Sequence, residues 1–323
     1  MKALRYILTI LIVSIFTFPL YGQNNNNKEL AYIVSDNRIP FWDIMARGIH
    51  SAAKEKGYKL KVYSANNIKK TEIENTVKAL KNKVNGIIIS PINSSTAVTI
   101  LKLAKEASIP VVISDIGTES GEYLSYISSD NLDGAYKIGI VLAKRMKQLG
   151  WDKKGSVGIV AIPQKRANGK ARTTGFMKAM DEAKIKGAGI KQQVNFSYEE
   201  TYNFSKELIE ENPNLRALWL QGSDRYQGAL DAIKDTGKIG EVLLICFDAE
   251  PIFLDFIPKG VLVGAAMQQP YLMGQNAVYS LDDHINGKKV EKNIQLPILS
   301  ISKDNIEKKL PIIKRNVLGI EPK

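Results

Sequence analysis

At five places in this chain, short hydrogen-bonding side chains directly follow an apolar run: Ser35-Asp36-Asn37, Ser90-Pro91, Ser114-Asp115, Gln221-Gly222-Ser223-Asp224 and Phe247-Asp248. Two aromatics, Phe41 and Trp42, come just after the first. Residues of these types suit reversible capture better than bond making. Aspartate, asparagine and serine exchange hydrogen bonds with a small molecule, and aromatic faces cover its ring or methyl surface. The expected ligand is a small polar molecule, neutral or weakly charged. Asn37, Phe41, Trp42, Ser90, Asp115, Ser223, Asp224 and Asp248 are the contacts this pattern nominates.

The equipment of catalysis is missing. His50 and His284 are the only histidines and both fall in helical stretches, which argues against a Ser-His-Asp set or a histidine-rich metal site. No Walker loop, no G-x-G-x-x-G after a strand and no C-x-x-C pair occurs, so no cofactor or metal is expected. The pairs Glu199-Glu200 and Asp282-Asp283 lie in polar helical surroundings and read as solvated faces. Cys246, the single cysteine, cannot close an internal disulfide and reads as a buried thiol in the run Val242–Phe247. The expectation is a binding protein and not an enzyme.

Elements must hold these groups in place, and the apolar pattern names them. Strand candidates are Leu30–Ser35, Leu60–Ser64, Gly86–Ser90, Pro110–Ser114 and Tyr123–Ser128, then Ser156–Ala161, Lys191–Asn195, Ala217–Leu220, Val242–Phe247 and Val261–Met267. Helix-period segments alternate with them. Trp42, Met45, Ile49 and Ala53 recur at spacings of three and four before Gly57, and others cover 71–82, 95–107, 132–149, 171–183, 198–211, 226–236 and 271–286. Strand–helix alternation with Ile/Val-rich strands predicts parallel sheets covered on both faces. Ten strands overfill one open sheet, so two α/β lobes of about five strands each are expected. Ligands of such sheets bind beyond the carboxyl ends of the strands, where the polar clusters sit.

The first 22 residues combine Lys2 and Arg5 with the apolar run Tyr6–Leu20, then Gly22 and a Gln/Asn tract. That is the pattern of a cleaved signal peptide, with 23–28 as a linker, and the run is short for a bilayer span of roughly 20 residues. The net charge of +12 comes from lysines interleaved with acidic residues, without a basic arm, so no nucleic-acid partner is expected.

The strand-end motifs resemble, in order and spacing, those of the type I periplasmic binding proteins, the ribose- and galactose-binding group. They are Ser35–Trp42, Gly86–Pro91, Ile109–Val112 leading to Asp115, Ile127–Asn131, Arg172-x-x-Gly175-Phe176, Phe247-Asp248 and Gln268-Gln269-Pro270. The resemblance implies two Rossmann-like lobes joined by a three-strand hinge, with crossovers near 129–131, 265–268 and 297–300. The lobes would comprise 29–129 with 267–297, and 130–266 with 298–323. It implies further that Phe41 and Trp42 stack on a sugar ring and Asp115 takes two hydroxyls. Arg172 would donate to ligand oxygens, Phe196 would supply a second-lobe aromatic, and Asp248 and Gln268 would bind more hydroxyls. Ile116 stands where that group usually has an arginine, Ile39 and Ser90 replace asparagines, and Gly222-Ser223-Asp224 replaces an Asn-Asp. The implied role is capture of a sugar-like solute in the periplasm by a protein that is a monomer when free. Delivery would be to an ABC permease or, alternatively, to a membrane sensor such as a histidine kinase or chemoreceptor.

Overall fold

The computed structural model describes residues 28–320, so the expected signal peptide and nearly all of the linker lie outside the described residues. The first lobe runs β1 (Glu29–Val34), α1 (Pro40–Glu55), β2 (Lys59–Ser64), α2 (Lys69–Lys81), β3 (Gly86–Ser90), α3 (Ser94–Glu106), β4 (Val111–Ser114) and β5 (Ser125–Ser129). The chain then builds the second lobe from α4 (Asn131–Gln148), β6 (Ser156–Ala161), α5 (Ala167–Glu182), β7 (Lys186–Gln192), α6 (Tyr198–Glu211), β8 (Leu215–Leu220), α7 (Tyr226–Asp235), β9 (Leu243–Phe247), α8 (Phe253–Lys259) and β10 (Gly264–Met267). It returns to the first lobe with α9 (Pro270–Ile285) and β11 (Asn293–Leu296), then crosses again to β12 (Leu299–Ser302), α10 (Ile306–Ile312) and a π-helical turn, Ile313–Leu318.

The sheets have strand orders β11-β5-β4-β3-β1-β2 and β12-β10-β9-β8-β6-β7. Every pairing is parallel except β10 with β12. In the first sheet β2 and β3 flank β1 on opposite sides, and in the second β7 and β8 flank β6. These are the points where the winding direction reverses and a crevice opens beyond the strand ends.

Burial follows from the period of two along a strand. Leu30, Tyr32 and Val34 pack under α1 and α9, while Ala31 and Ile33 face α2 and α3. The second lobe repeats the scheme, with Ile159 and Ala161 on the α4–α5 side and Val160 on the opposite face. The outer strands β2 and β7 have no buried residue and carry Lys59, Lys61, Lys186 and Lys191. Charged edges of this kind resist the addition of a foreign strand.

Two predicted elements start four or more residues from the expected position, and several elements are new. β7 begins at Lys186, because Gly187 and Gly189, poor strand formers, still pair with β6 through a register shift. α5 begins at Ala167, four residues earlier than the apolar period indicates. Each sheet has six strands, and the sixth in each comes from the C-terminal stretch through β11 and β12, whose mixed polar composition hides them.

The three crossings are tied to one another. Asp130 N–H donates to the Leu296 carbonyl at 3.1 Å, joining the first crossing to the third. Gln269, almost fully buried at the second, donates to the Pro297 carbonyl at 2.8 Å and accepts from Asn316 Nδ2 at 2.9 Å. The C-terminal turn therefore does not stay within the second lobe. Val317 and Leu318 pack in the second-lobe core, yet the Leu318 and Gly319 carbonyls accept from Arg47 of α1 at 2.9 and 3.1 Å.

In the second lobe, α4 and α5 approach so closely that a Cβ on Gly175 would lie 2.1 Å from the Leu132 carbonyl oxygen. Only glycine permits that approach, and it brings Arg172, one turn earlier on α5, against Asn131 at the head of α4. Gly175→Ala is expected to destabilise the protein by about 1–3 kcal/mol through overpacking, read as a lower urea midpoint. An unchanged midpoint would mean that α4 and α5 can separate without cost.

Candidate functional site

The strand ends of the two lobes enclose a small cavity, part of it open to solvent. Ile39, Phe41, Trp42, Asn67 and Asp115 line it from the first lobe. Ile162, Arg166, Asn168, Arg172, Gln193, Phe196, Gln221, Gly222, Asp224, Arg225, Asp248 and Gln268 line it from the second lobe and its crossing.

Backbone strain is concentrated here. Of the non-glycine residues with positive φ, Lys83, Ser108 and Lys184 sit just past the ends of α2, α3 and α5, where a left-handed residue commonly ends a helix. The others, Asn66, Asn67, Asp115, Phe196 and Asp248, all border the cleft. Such conformations cost about 1–3 kcal/mol each and persist where surrounding structure holds them. Here they place Asn67, Asp115, Phe196 and Asp248, past the ends of β2, β4, β7 and β9, on the cavity lining.

On the first-lobe wall, Trp42 Nε1 donates to Asp115 Oδ2 at 3.3 Å, and Asp115 Oδ1 has no side-chain partner among the described residues. Trp42 packs in the first-lobe core with only its edge reaching the cavity, and Phe41 meets it edge-on at 6.3 Å. Burial pushes the Asp115 carboxyl up to about 6, opposed chiefly by the Arg172 guanidinium. The folded carboxyl is thus a weaker acid than the unfolded one. In the empty protein its contribution to stability is complete below about pH 4 and lost as the pH rises through about 6.

On the second-lobe wall, Arg172 is buried and heavily committed. Its Nε donates to Asn131 Oδ1 at 2.8 Å, its Nη1 donates to the Gln221 carbonyl at 2.6 Å and lies 3.6 Å from Asp248 Oδ2, and its guanidinium stacks 3.8 Å from the Phe247 ring centre. Nη2 is left without a partner among the described residues. Gln268 Nε2 donates to Asp248 Oδ1 at 2.6 Å, leaving Gln268 Oε1 buried and unsatisfied.

Phe196 is presented by a loop that Glu200 pins. The carboxylate of Glu200 accepts from the backbone N–H groups of Val194, Asn195 and Phe196 at 2.7–3.0 Å, while Ser197 Oγ accepts from Glu200 N–H at 3.1 Å. Glu200 is therefore a structural clamp, not the solvated face its polar context suggested. Arg225 pairs with Asp224, donates to the Phe196 carbonyl and stacks on the Phe196 ring at 5.2 Å.

Eight of the eleven nominated contacts come together on the wall: Phe41, Trp42, Asp115, Arg172, Phe196, Asp224, Asp248 and Gln268. Asn37, Ser90 and Ser223 are not on it. Ser90 points inward from β3 to the Tyr32 hydroxyl at 2.9 Å and Met45 Sδ at 3.4 Å. Ser223 Oγ donates to Glu250 Oε1 at 2.7 Å, and Asn37 is turned toward β2, where its N–H donates to Ser64 Oγ at 3.1 Å. Asn67, Arg166, Asn168, Gln193 and Arg225 went unread because they lie in loops and helix starts that carry no periodic signal. Among the described residues no group of three or more His, Cys, Asp or Glu could hold a metal ion, and no helix is long and apolar enough to cross a membrane. Because Arg172 ties four segments together, Arg172→Ala should cost about 3–5 kcal/mol of stability by leaving Asp248 buried without its cation, besides weakening any ligand. A thermal melt of the empty variant matching the parent would show that the pair is not structural.

The description of the periplasmic binding protein domain matches residues 30–289. The ribose import binding protein of Bacillus subtilis is 28% identical over 283 residues, spanning 86% of this chain and 88% of its own length. The D-apiose import binding protein of Actinobacillus succinogenes is 27% identical over 288 residues, spanning 88% and 89%. Among solved structures, a carbohydrate transporter solute binding protein from Agrobacterium radiobacter in complex with D-arabinose gives a TM-score of 0.82 at 24% identity, covering 90% of this chain and 99% of that one. A periplasmic solute binding protein from Actinobacillus succinogenes with bound D-allose gives 0.80 at 22% identity, covering 87% and 100%. These two likenesses concern the fold, two lobes of mostly parallel sheet about a cleft. With a family match that spans most of the described residues and a cavity at the facing strand ends of both lobes, this chain belongs to the periplasmic binding protein family.

Proposed function

We propose that this protein captures a monosaccharide in the interlobe cavity and presents it to an ABC import permease. The observation that carries the reading is the pairing of apolar faces with unmet polar atoms around one cavity. Phe41 and Phe196 offer ring surface and Trp42 an edge, while Gln268 Oε1 is buried and unsatisfied and Asp115 Oδ1 and Arg172 Nη2 have no partner among the described residues. A buried polar atom left unmet costs about 1–3 kcal/mol, so a ligand bearing several hydroxyls on an apolar ring recovers that cost. The relatives named above are sugar import binding proteins, which favours transport over the sensory alternative. Export fits the leader-like residues 1–22.

Capture in this geometry requires the lobes to open and close about the three crossings, since both contribute wall. The open and closed forms need differ by only a few kcal/mol for a ligand to reverse their populations.

A thermal-shift screen of aldopentoses and aldohexoses should raise the melting temperature for at least one sugar. Saturation at about 100 times Kd corresponds to ~2.7 kcal/mol of added stability. No shift with any of them, or with the sugar acids derived from them, would remove the sugar reading. Affinity for the sugar so found should also climb as the pH rises through about 6, because hydroxyl donors favour the Asp115 carboxylate. Titration calorimetry should give a Kd about tenfold weaker at pH 5 than at pH 7.5. Asp115→Asn should bind weakly and lose that pH dependence, and a slope that survives in the variant would assign it to another group. The sugar should also change the tryptophan fluorescence and reduce the radius of gyration in solution scattering. Trp42→Ala should bind more weakly and lose most of the fluorescence change, whereas tight binding without compaction would remove lobe closure.

A further inference from the structure

The charged groups of the cavity can be matched one by one. Arg172 is opposed by Asp248, Arg225 by Asp224, and Arg38 at the cleft mouth by Asp36 at 2.7 Å. Two groups remain. The Asp115 carboxylate on the first lobe accepts only from Trp42 among the described residues. Arg166 on the second lobe has no side-chain hydrogen bond or ion pair among the described residues, and its guanidinium lies 5.4 Å over the Phe196 ring.

Arg166 is well desolvated, and the charges that act on it at a distance are Asp115 and Arg172. A guanidinium has five N–H donors in a planar fork that fits a carboxylate in two-point fashion. One left without an acceptor in a small cavity is costly unless an occupant supplies one. Its neighbours add donors. Asn168 Oδ1 is used up by the Gly169 N–H at 2.9 Å, which leaves the Asn168 amide nitrogen free, and the first turn of α5 carries no acidic residue. The rest of the lining carries acceptors, Asp115 Oδ1 across the cleft and the unsatisfied Gln268 Oε1 at the second crossing. A neutral sugar satisfies the acceptors and leaves Arg166 with no anion in contact. A cation at Asp115 would leave it so as well.

We propose that the cavity selects a sugar acid, a monosaccharide whose hydroxyls face Asp115 and Gln268 and whose carboxylate is held by Arg166 beside Asn168. The inference rests on the reading of the cavity as a sugar site and narrows it to an anionic class.

The test is titration calorimetry at pH 7.5 with matched pairs that differ in one oxidised carbon: D-glucose and D-glucuronate, D-galactose and D-galacturonate, D-ribose and D-ribonate, D-arabinose and D-arabinonate. In at least one pair the acid should bind tenfold or more tighter than its neutral partner, with the gap narrowing as salt rises. Arg166→Gln should shrink that acid-to-neutral ratio at least tenfold while the empty protein keeps its melting temperature, and Arg166→Lys should restore part of it. Neutral sugars that bind as tightly as their acids, or a Gln variant that keeps the ratio, would overturn the sugar-acid assignment while leaving the sugar site standing. If no member of any pair binds to the folded protein, the sugar site itself falls, and the assignment with it.

Discussion

The second lobe depends on one buried cation. Arg172 reaches from α5 to Asn131 at the first crossing, to the Gln221 carbonyl at the end of β8 and to Asp248 at the end of β9, while it lies flat on Phe247. An ionised group in such a place is tolerated only where counter-charge and hydrogen bonds replace the water it lost. The strand ends must therefore converge at this point, and their convergence makes the cavity floor. Asp248 is oriented in turn by Gln268, so the same network extends to the second crossing. The site and the hinge share one set of polar contacts.

The other wall is organised differently. Asp115 is held by one indole N–H and by a left-handed backbone at the end of β4, in surroundings that make its charge expensive. A carboxylate so placed is poised to accept donors from an occupant. The lobes thus divide the labour: the second provides rigid, prepaid electrostatics, and the first provides an under-satisfied acceptor beside apolar rings. Phe196 is the exception, a second-lobe aromatic whose loop is fastened by Glu200 and Arg225.

The C-terminal turn adds a contact that a bare three-strand hinge lacks. Residues 313–318 bury Ile313, Val317 and Leu318 in the second lobe while Arg47 of the first lobe holds the final carbonyls. Asn316 reaches Gln269, which also holds Pro297, so the strap joins the second and third crossings. Relative motion of the lobes must turn about these contacts or break them.

The sequence by itself determined the two-lobe parallel architecture, because buried Ile/Val runs alternating with 3.6-period segments admit few other packings. It also placed Trp42, Asp115 and Asp248 at a site, since polar residues directly after buried strands lie where parallel sheets open their crevices, whereas Arg172 and Gln268 were implied by the family resemblance. It could not tell which way such a residue faces. Ser90 and Ser223 satisfy the same pattern as Asp115, yet they spend their hydroxyls on Tyr32 and Glu250. Nor did it reveal Arg166, Asn168 or the role of Glu200, which depend on loop geometry and on partners from other segments. Local periodicity encodes which face of an element is buried. The pairing of charges across a cavity is set by long-range approach, and only the tertiary structure decided which guanidinium was left without a carboxylate.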